Sequence, residues 1–335
     1  MRLPALTSIN LPPLARVGAN GLLAYRSEHY GRIYRVVKIS TAQLISTSRH
    51  RALASIGRNP YRSQRGPEKH LEVLLRGGLG NQLFSFAAGL EVANALEVPL
   101  HFVTRYLDGS KQSGRNFELM EVIPANYSWG EDSYLSRYFK EKSFLYDPLL
   151  KEVQTGTLLE GYFQSSRYFA SSVPMVKQMI SASKQFRRGL AWSERQPFIA
   201  LQVRRGDYLS PHNRKVHGVV PLSFFEKGLD ILRAQVGWLP AVVFSDDYRV
   251  ADSLAQRLKN CTPFPNDGAR TSLEVLGALG AAKALCISNS SFGWWGAFMA
   301  GPGENVITPR PWFATGAIDS RDLLEGSWLS LGHSN

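Results

Sequence analysis

Two adjacent arginines, Arg204 and Arg205, stand in the octet Gln202-Val203-Arg204-Arg205-Gly206-Asp207-Tyr208-Leu209, directly after the apolar run Pro197-Phe198-Ile199-Ala200-Leu201. The run reads as a buried strand and the octet as the loop that leaves it. Ligands of open α/β sheets sit at the carboxyl ends of strands, so this loop is where a phosphate-bearing substrate is expected. A guanidinium matches phosphate oxygens with a planar fork of donors and stays charged at any working pH. Asp207 can take a proton or anchor an arginine. The plain alternative for the octet alone is a surface turn closed by a local Arg–Asp pair.

Three further stretches carry residue types suited to a nucleotide. Gly77-Gly78-Leu79-Gly80-Asn81-Gln82 follows the strand-like Leu71-Glu72-Val73-Leu74-Leu75. It is half of a dinucleotide fingerprint, with Leu83 where the third glycine would stand. Phe244-Ser245-Asp246-Asp247 places two carboxylates at a strand end. Either can accept the paired N–H donors of a guanine edge or the hydroxyls of a ribose, or can cap the next helix. Ser288-Asn289-Ser290-Ser291-Phe292-Gly293-Trp294-Trp295-Gly296 follows a third apolar run and opens a helix, where hydroxyls and free N–H groups form an anion site. No two aspartates have the Asp-x-Asp spacing of a metal-held sugar nucleotide, and no His-x-x-x-His pair occurs. The two cysteines, Cys261 and Cys286, make neither a disulfide framework nor a metal set.

These loops need strands and helices behind them. Strands are expected over 71–75, 98–103, 198–203, 241–245, 284–288 and 305–308. A helix from Gln82 carries Leu83, Phe86, Ala87, Leu90 and Ala93 on one face, and a helix opening at Pro221 carries Leu222, Phe225, Leu229 and Leu232. Ala251, Leu254 and Leu258 mark another, a fourth spans about 271–283, and Ser290 or Ser291 caps a fifth. Residues 105–195 show no clear period. Two alternating β/α blocks predict two doubly wound domains facing across a cleft.

The formal charge of +12 is local: residues 1–70 hold 12 Lys/Arg against Glu28 and Glu68, and the remainder holds 27 against 25. This argues against a nucleic-acid-binding body. The basic segment has no apolar run of membrane-spanning length and no secretory signal. It reads as a poorly ordered extension that can touch anionic lipid headgroups. The expected divisions are 1–66, the extension; 67–195, an acceptor-side domain; 196–315, a donor-binding domain; and 316–335, a tail. The expected location is cytoplasmic, with peripheral contact at the inner membrane surface.

In order along 71–315, these pieces resemble glycosyltransferase family 11, the α-1,2-fucosyltransferases, in their bacterial, anchor-free form. The similarity includes Gly77 to Phe84, Gly161-Tyr162-Phe163-Gln164-Ser165, Arg204 to Tyr208, Phe244 to Asp247, Ser288 to Ala297 and Pro309-Arg310-Pro311-Trp312-Phe313. The family carries histidine where this chain has Gln202. The resemblance implies a GT-B fold of two Rossmann-like domains. It also implies inverting transfer of L-fucose from GDP-β-L-fucose to the 2-hydroxyl of a terminal galactose, with no metal or other cofactor. By that reading Arg204 and Arg205 neutralise the departing GDP. Asp207 is the nearest acid for the base, or it holds the arginines in place. Gln202, Asp246, Asp247, Ser290, Ser291, Gly78, Gly80, Asn81 and Gln82 bind the donor. The alternatives are an inactive relative that binds sugar nucleotides or glycans, and a nucleic-acid binder using the basic segment. The acceptor glycan and the oligomeric state stay open.

Overall fold

The structure, a computed structural model, describes residues 16–17, 23–24, 69–107, 115–133, 135, 137–194, 196–265, 270–301 and 303–333. The chain divides into two units, 1–58 and 59–335. In the first, the described residues form one antiparallel pair, β1 (Arg16–Val17) with β2 (Leu23–Ala24). The disorder and lipid contact expected of residues 1–66 otherwise lie outside the described residues. Among the described residues, no helix is long and apolar enough to cross a membrane.

The second unit holds two parallel sheets. The first contains β3 (Leu71–Leu74), β4 (Leu100–Val103), β5 (Ser128–Gly130), β6 (Arg137–Lys140) and β7 (Thr157–Glu160), in the order β5-β4-β3-β7-β6. The second contains β8 (Ile199–Val203), β9 (Ala241–Ser245), β10 (Cys261–Pro263), β11 (Ala284–Ile287), β12 (Val306–Arg310) and β13 (Leu329–Gly332), in the order β10-β9-β8-β11-β12-β13. Every neighbouring pair in both sheets is parallel. Strand order reverses between β3 and β7 in one sheet and between β8 and β11 in the other. Those two reversals are the places where doubly wound sheets bind ligands. The expected two-domain α/β arrangement is therefore present.

Helix α1 (Leu79–Leu96) follows β3 and is buried on most sides. It lies on its own sheet, where a Cβ at Gly89 would sit 3.3 Å from Val73. It also packs against a helix of the second sheet: Phe84 lies 4.5 Å from Trp294 and 5.1 Å from Trp295, between ring centroids. Both tryptophans are fully buried, so the pair is core. After α2 (Val173–Ala182), the short helix α3 (Lys184–Leu190) crosses to the second sheet. There its backbone meets that of α7 (Ser272–Gly280) at Gly189 and Gly277, where any side chain would collide. Phe84, Phe169, Phe186, Leu276, Trp294 and Trp295 thus belong to one continuous core between the sheets. A separate core lies on the outer face of the second sheet, under α5 (Leu222–Val236) and α6 (Tyr248–Arg257), which follow the short α4 (Pro211–Val216).

Two expectations need correction. Helix α1 begins at Leu79, not Gln82, because Gly78 is the extended N-cap and its carbonyl accepts from the N–H groups of Asn81 and Gln82. Gly80 and Asn81 are therefore in the first turn, not in a loop. The segment 316–335, expected as a tail, supplies β13, which pairs with β12 from Ile307↔Leu329 to Arg310↔Gly332. Its exposed, edge-strand character left little apolar pattern to read.

Candidate functional site

A cleft of about 1020 Å³ lies at the carboxyl ends of both sheets, lined by residues from each. Strand β8 is buried along its whole length and turns sharply into Arg204, Arg205 and Gly206. Gly206 has φ +27°, and a Cβ there would strike the Asp246 carboxylate. The loop is shaped by that carboxylate: Asp246 Oδ1 accepts the Arg205 backbone N–H at 2.8 Å, and its Oδ2 lies 2.7 Å from Arg204 Nη1. Arg204 Nη2 also donates to Asp207 Oδ1 at 2.5 Å. The Arg204 guanidinium faces the cleft.

Arg205 does not face it. Its side chain is buried, with Nη1 donating to its neighbour's carbonyl (Arg204 O, 2.8 Å) and Nη2 to Val220 O (3.0 Å). Burial pulls its pKa down, opposed by Asp246 and Asp247. The expected pair of guanidiniums on one ligand is thus corrected: consecutive side chains leave a turning backbone in different directions, and only Arg204 lines the cleft.

Asp207 lines the cleft between two cations. Besides Arg204, it accepts from Arg115 Nη2 at 3.0 Å, a residue that follows the first sheet's β4. Tyr208 donates its hydroxyl to Asn289 O at 2.9 Å and stacks on His217, with centroids 4.6 Å apart. Burial pushes the Tyr208 phenol up to about 12. Burial lowers the His217 pKa, with Asp207 opposing and Arg204 and His212 reinforcing.

On the far side of β8, helix α8 (Ser291–Met299) starts at the cleft. Ser290 is its N-cap, yet its hydroxyl makes no capping bond, and Ser290 and Ser291 both line the cleft. Gln202 lines it too, its Oε1 accepting from Ser288 Oγ at 2.8 Å, while Ser288 Oγ accepts from Arg204 N–H at 3.1 Å. Asn289, part of a glycosylation-like sequon, is buried and donates to His217 O and Trp312 O, so the sequon is occupied by the fold.

The two aspartates after β9 separate. Asp246 lines the cleft, whereas Asp247 caps α6 by accepting from the N–H groups of Arg249 and Val250 and does not line it. The first sheet contributes Gly78, Gly80 and Asn81 to the cleft. Gly80 is required by close approach, since a Cβ would sit 2.6 Å from Phe292 N and 2.8 Å from Ser291 Oγ. Gln82 is corrected from ligand contact to brace. It is fully buried, donates to Gly77 O and Asn116 O, and accepts from Leu119 N–H. It is thereby the tie that holds the Arg115 segment beside the glycine loop.

Sequence reasoning assigned no role to several cleft residues. Arg115 and His217 are isolated residues of their types, with no spacing signal. Tyr162 and Gln164 lie in a motif quoted above without a role. Gln164 donates to Asn81 Oδ1 at 2.9 Å, and Glu141 accepts from the N–H groups of Tyr162 and Phe163, fixing the turn that presents Tyr162. Burial raises the Glu141 pKa, and those N–H groups oppose it. Among the described residues, no group of three or more His, Cys, Asp or Glu side chains could hold a metal ion.

The family model described as Glycosyl transferase family 11 matches residues 132–330. An Escherichia coli O-antigen biosynthesis glycosyltransferase, WbnK, is 26% identical over 302 residues, covering 77% of this chain and 99% of that protein. An Escherichia coli alpha-1,2-colitosyltransferase is 24% identical, covering 77% of this chain and 97% of that protein. Among solved structures, the fucosyltransferase NodZ from Bradyrhizobium is 14% identical with a TM-score of 0.46, covering 69% of this chain and 93% of that one.

Proposed function

We propose that this chain, which belongs to glycosyl transferase family 11, moves L-fucose from GDP-β-L-fucose to the 2-hydroxyl of a terminal galactose, with inversion. The observation that carries the reading is the facing of two strand-order reversals. Arg204 and the start of α8 flank the reversal in one sheet, and Gly78 and Gly80 flank the reversal in the other. A guanidinium and free helix N–H groups across a glycine turn suit a nucleoside diphosphate.

In the transfer, the acceptor oxygen attacks the anomeric carbon as the bond to the diphosphate breaks. Negative charge grows on the departing diphosphate. Arg204 meets it from the second sheet, the Ser290 hydroxyl and the Ser291 N–H meet it at the α8 start, and Arg115 meets it from the segment after β4. Fixed donors of this kind act without reorganising, and removing one commonly lowers turnover about 10²- to 10³-fold. Arg205 and Gln82 act by holding Arg204 and the Arg115 segment in place. Gln202 can donate from its amide but cannot carry a proton, so its part is binding.

The acceptor hydroxyl must lose a proton. Asp207 is poorly suited, because both of its oxygens are taken by guanidiniums. His217 is better placed: it lines the cleft, no hydrogen bond holds its ring among the described residues, and burial favours its neutral form. A neutral imidazole accepts a proton near neutral pH.

The colitosyltransferase among the relatives supports an α-1,2 linkage and favours a second reading, in which the transferred sugar is colitose. One donor screen decides. Release of nucleoside diphosphate is measured from GDP-fucose, from nucleotide-linked colitose and from UDP- and ADP-sugars, with lactose as acceptor and with chelator present. Fastest release from GDP-fucose supports the first reading. Preference for a UDP- or ADP-sugar sinks both, and strict dependence on added Mn²⁺ or Mg²⁺ sinks charge neutralisation by arginine alone.

A further inference from the structure

The carboxyl edge of the second sheet divides the cleft by chemistry. In strand order, Phe264 follows β10, Phe244 is the last residue but one of β9 with Asp246 just past its end, Arg204 follows β8, Ser290 follows β11, and Trp312-Phe313 follow β12. Adjacent strands are about 4.8 Å apart, so β12, which Phe313 follows, runs two spacings, about 10 Å, from β8, which Arg204 follows. Phe244 and Phe264 stack at 4.3 Å on the opposite side. With the diphosphate at Arg204, one aromatic end of the cleft receives the nucleobase, and the other receives what lies past the transferred sugar.

That second end is built from two distant segments. Glu141 fixes the turn after β7 so that Tyr162 projects, 37% exposed, while its neighbour Phe163 is fully buried. The Tyr162 ring lies parallel to Phe144, at 7° and 6.3 Å, and Phe144 rests on Phe313 at 4.8 Å. Phe313 in turn lies 5.7 Å from His217. Tyr162, Phe144, Phe313 and His217 all line the cleft. What sets Tyr162 apart is its setting: its partly open ring lines the cleft beside two further aromatic rings, Phe144 and Phe313, which line it too. The negative face of such a ring attracts the polarised C–H groups of a pyranose, while sugar hydroxyls remain free to bond elsewhere.

We infer that Tyr162, Phe144 and Phe313 form a stacking platform for a pyranose ring of the acceptor glycan, next to the group that takes its proton. The proposal rests on the glycosyl-transfer reading above. The occupant is the acceptor rather than the donor sugar, because Tyr162 stands on the turn after β7, at the end of the cleft away from Phe244 and Phe264, and its partial exposure leaves a longer glycan room to extend.

The test uses the full chain and the substitutions Tyr162→Ala, Phe144→Ala and Tyr162→Phe. Three quantities are read: the KM for lactose, the Kd for GDP, and saturation transfer by NMR to methyl glycosides of galactose, glucose and N-acetylglucosamine with GDP present. Each alanine variant should raise the lactose KM about tenfold with the GDP Kd unchanged, and Tyr162→Phe should recover most of that loss. Saturation should fall on the ring C–H protons of at least one glycoside and vanish in Tyr162→Ala. An unchanged lactose KM in both alanine variants overturns the platform. So does a GDP Kd that rises by the same factor, or an absence of saturation transfer in the wild type. A wild type that fails to bind GDP at all instead overturns the donor reading, and the glycoside measurement still reports on the platform.

Discussion

Arg115 Nη2 lies 3.0 Å from Asp207 Oδ2, so a single ion pair joins the segment after β4 to the arginine loop after β8. Asp207 holds Arg204 with its other oxygen, which makes the carboxylate a bridge between cations from both sheets. Both partners of the cross-cleft pair are about a third or more exposed, and such pairs contribute only about 0–1 kcal/mol. Their value is therefore in placement.

Asp207→Asn should consequently lower kcat by at least about tenfold while the melting temperature hardly moves. Arg115→Lys, which keeps charge but loses the fork, should do the same. Steady-state kinetics beside thermal melting checks both. A base role for Asp207 would instead give Asn a far larger loss than Arg115→Lys.

Arg204 and Arg205 should part company. Arg204→Lys should lose turnover about tenfold or more at constant stability, since its fork faces the ligand. Arg205→Lys cannot satisfy both Arg204 O and Val220 O from a buried site, and losing such bonds costs about 1–3 kcal/mol. Its melting temperature should drop, and activity per folded molecule should fall less than for Arg204→Lys. Equal behaviour of the two variants in kinetics and melting would contradict the opposed orientations.

The aspartates after β9 offer a parallel contrast. Asp247→Ala removes a helix cap worth about 1 kcal/mol and should leave the donor KM near wild type. Asp246→Asn loosens both the Arg205 amide and the Arg204 guanidinium, so the donor KM should rise. A donor KM that responds to Asp247 and not to Asp246 would restore the sequence-based assignment of Asp247 to the nucleotide.

How far the sequence reached depended on burial and spacing. β3, β8, β9 and β11 are apolar runs flanked by loops, and all four were legible because their side chains are almost wholly buried. β5 and β6 were missed: they have three and four residues, and β6 is largely exposed, with Tyr138 70% exposed. Ser290, Asp246 and Gly80 stand at the ends of legible elements, so their nearness to the cleft followed. Arg205, Asp247 and Gln82 occupy equally suggestive positions but turn inward, which depends on backbone direction that composition does not encode. Arg115 is brought to Asp207 across 92 positions by packing between the sheets, a relation no local pattern announces.

His217 gives a prediction in pH. Its pKa is lowered from 6.5 by burial, so protonation sets in below that value. A step that needs the neutral ring should slow as pH falls through the lowered pKa and be level above about 6.5. His217→Gln should reduce kcat and flatten this acid limb of the kcat profile. An acid limb that survives unchanged in His217→Gln would assign the proton to another group.

The last prediction concerns the joint between the sheets. A Cβ on Gly80 would sit 2.6 Å from Phe292 N, 2.6 Å from Ser291 C and 2.8 Å from Ser291 Oγ, and the first two of these three atoms are backbone. The start of α8 must therefore retreat from α1 if alanine is introduced. Alanine favours helices over glycine by about 1 kcal/mol, but overpacking costs about 1–3 kcal/mol, so the clash should win or at best cancel. Because the α8 start also carries Ser290 and Ser291, Gly80→Ala should raise the Kd for GDP as well as lower the melting temperature. Gly89→Ala makes the comparison sharp: it lies in the same helix with contacts of 3.2–3.3 Å to side chains of Leu100 and Val73, well away from α8. That change should affect stability alone, measured by thermal melting with and without GDP. A Gly80→Ala protein that binds GDP as the wild type does would show that the first sheet's glycine turn does not set the position of the α8 start.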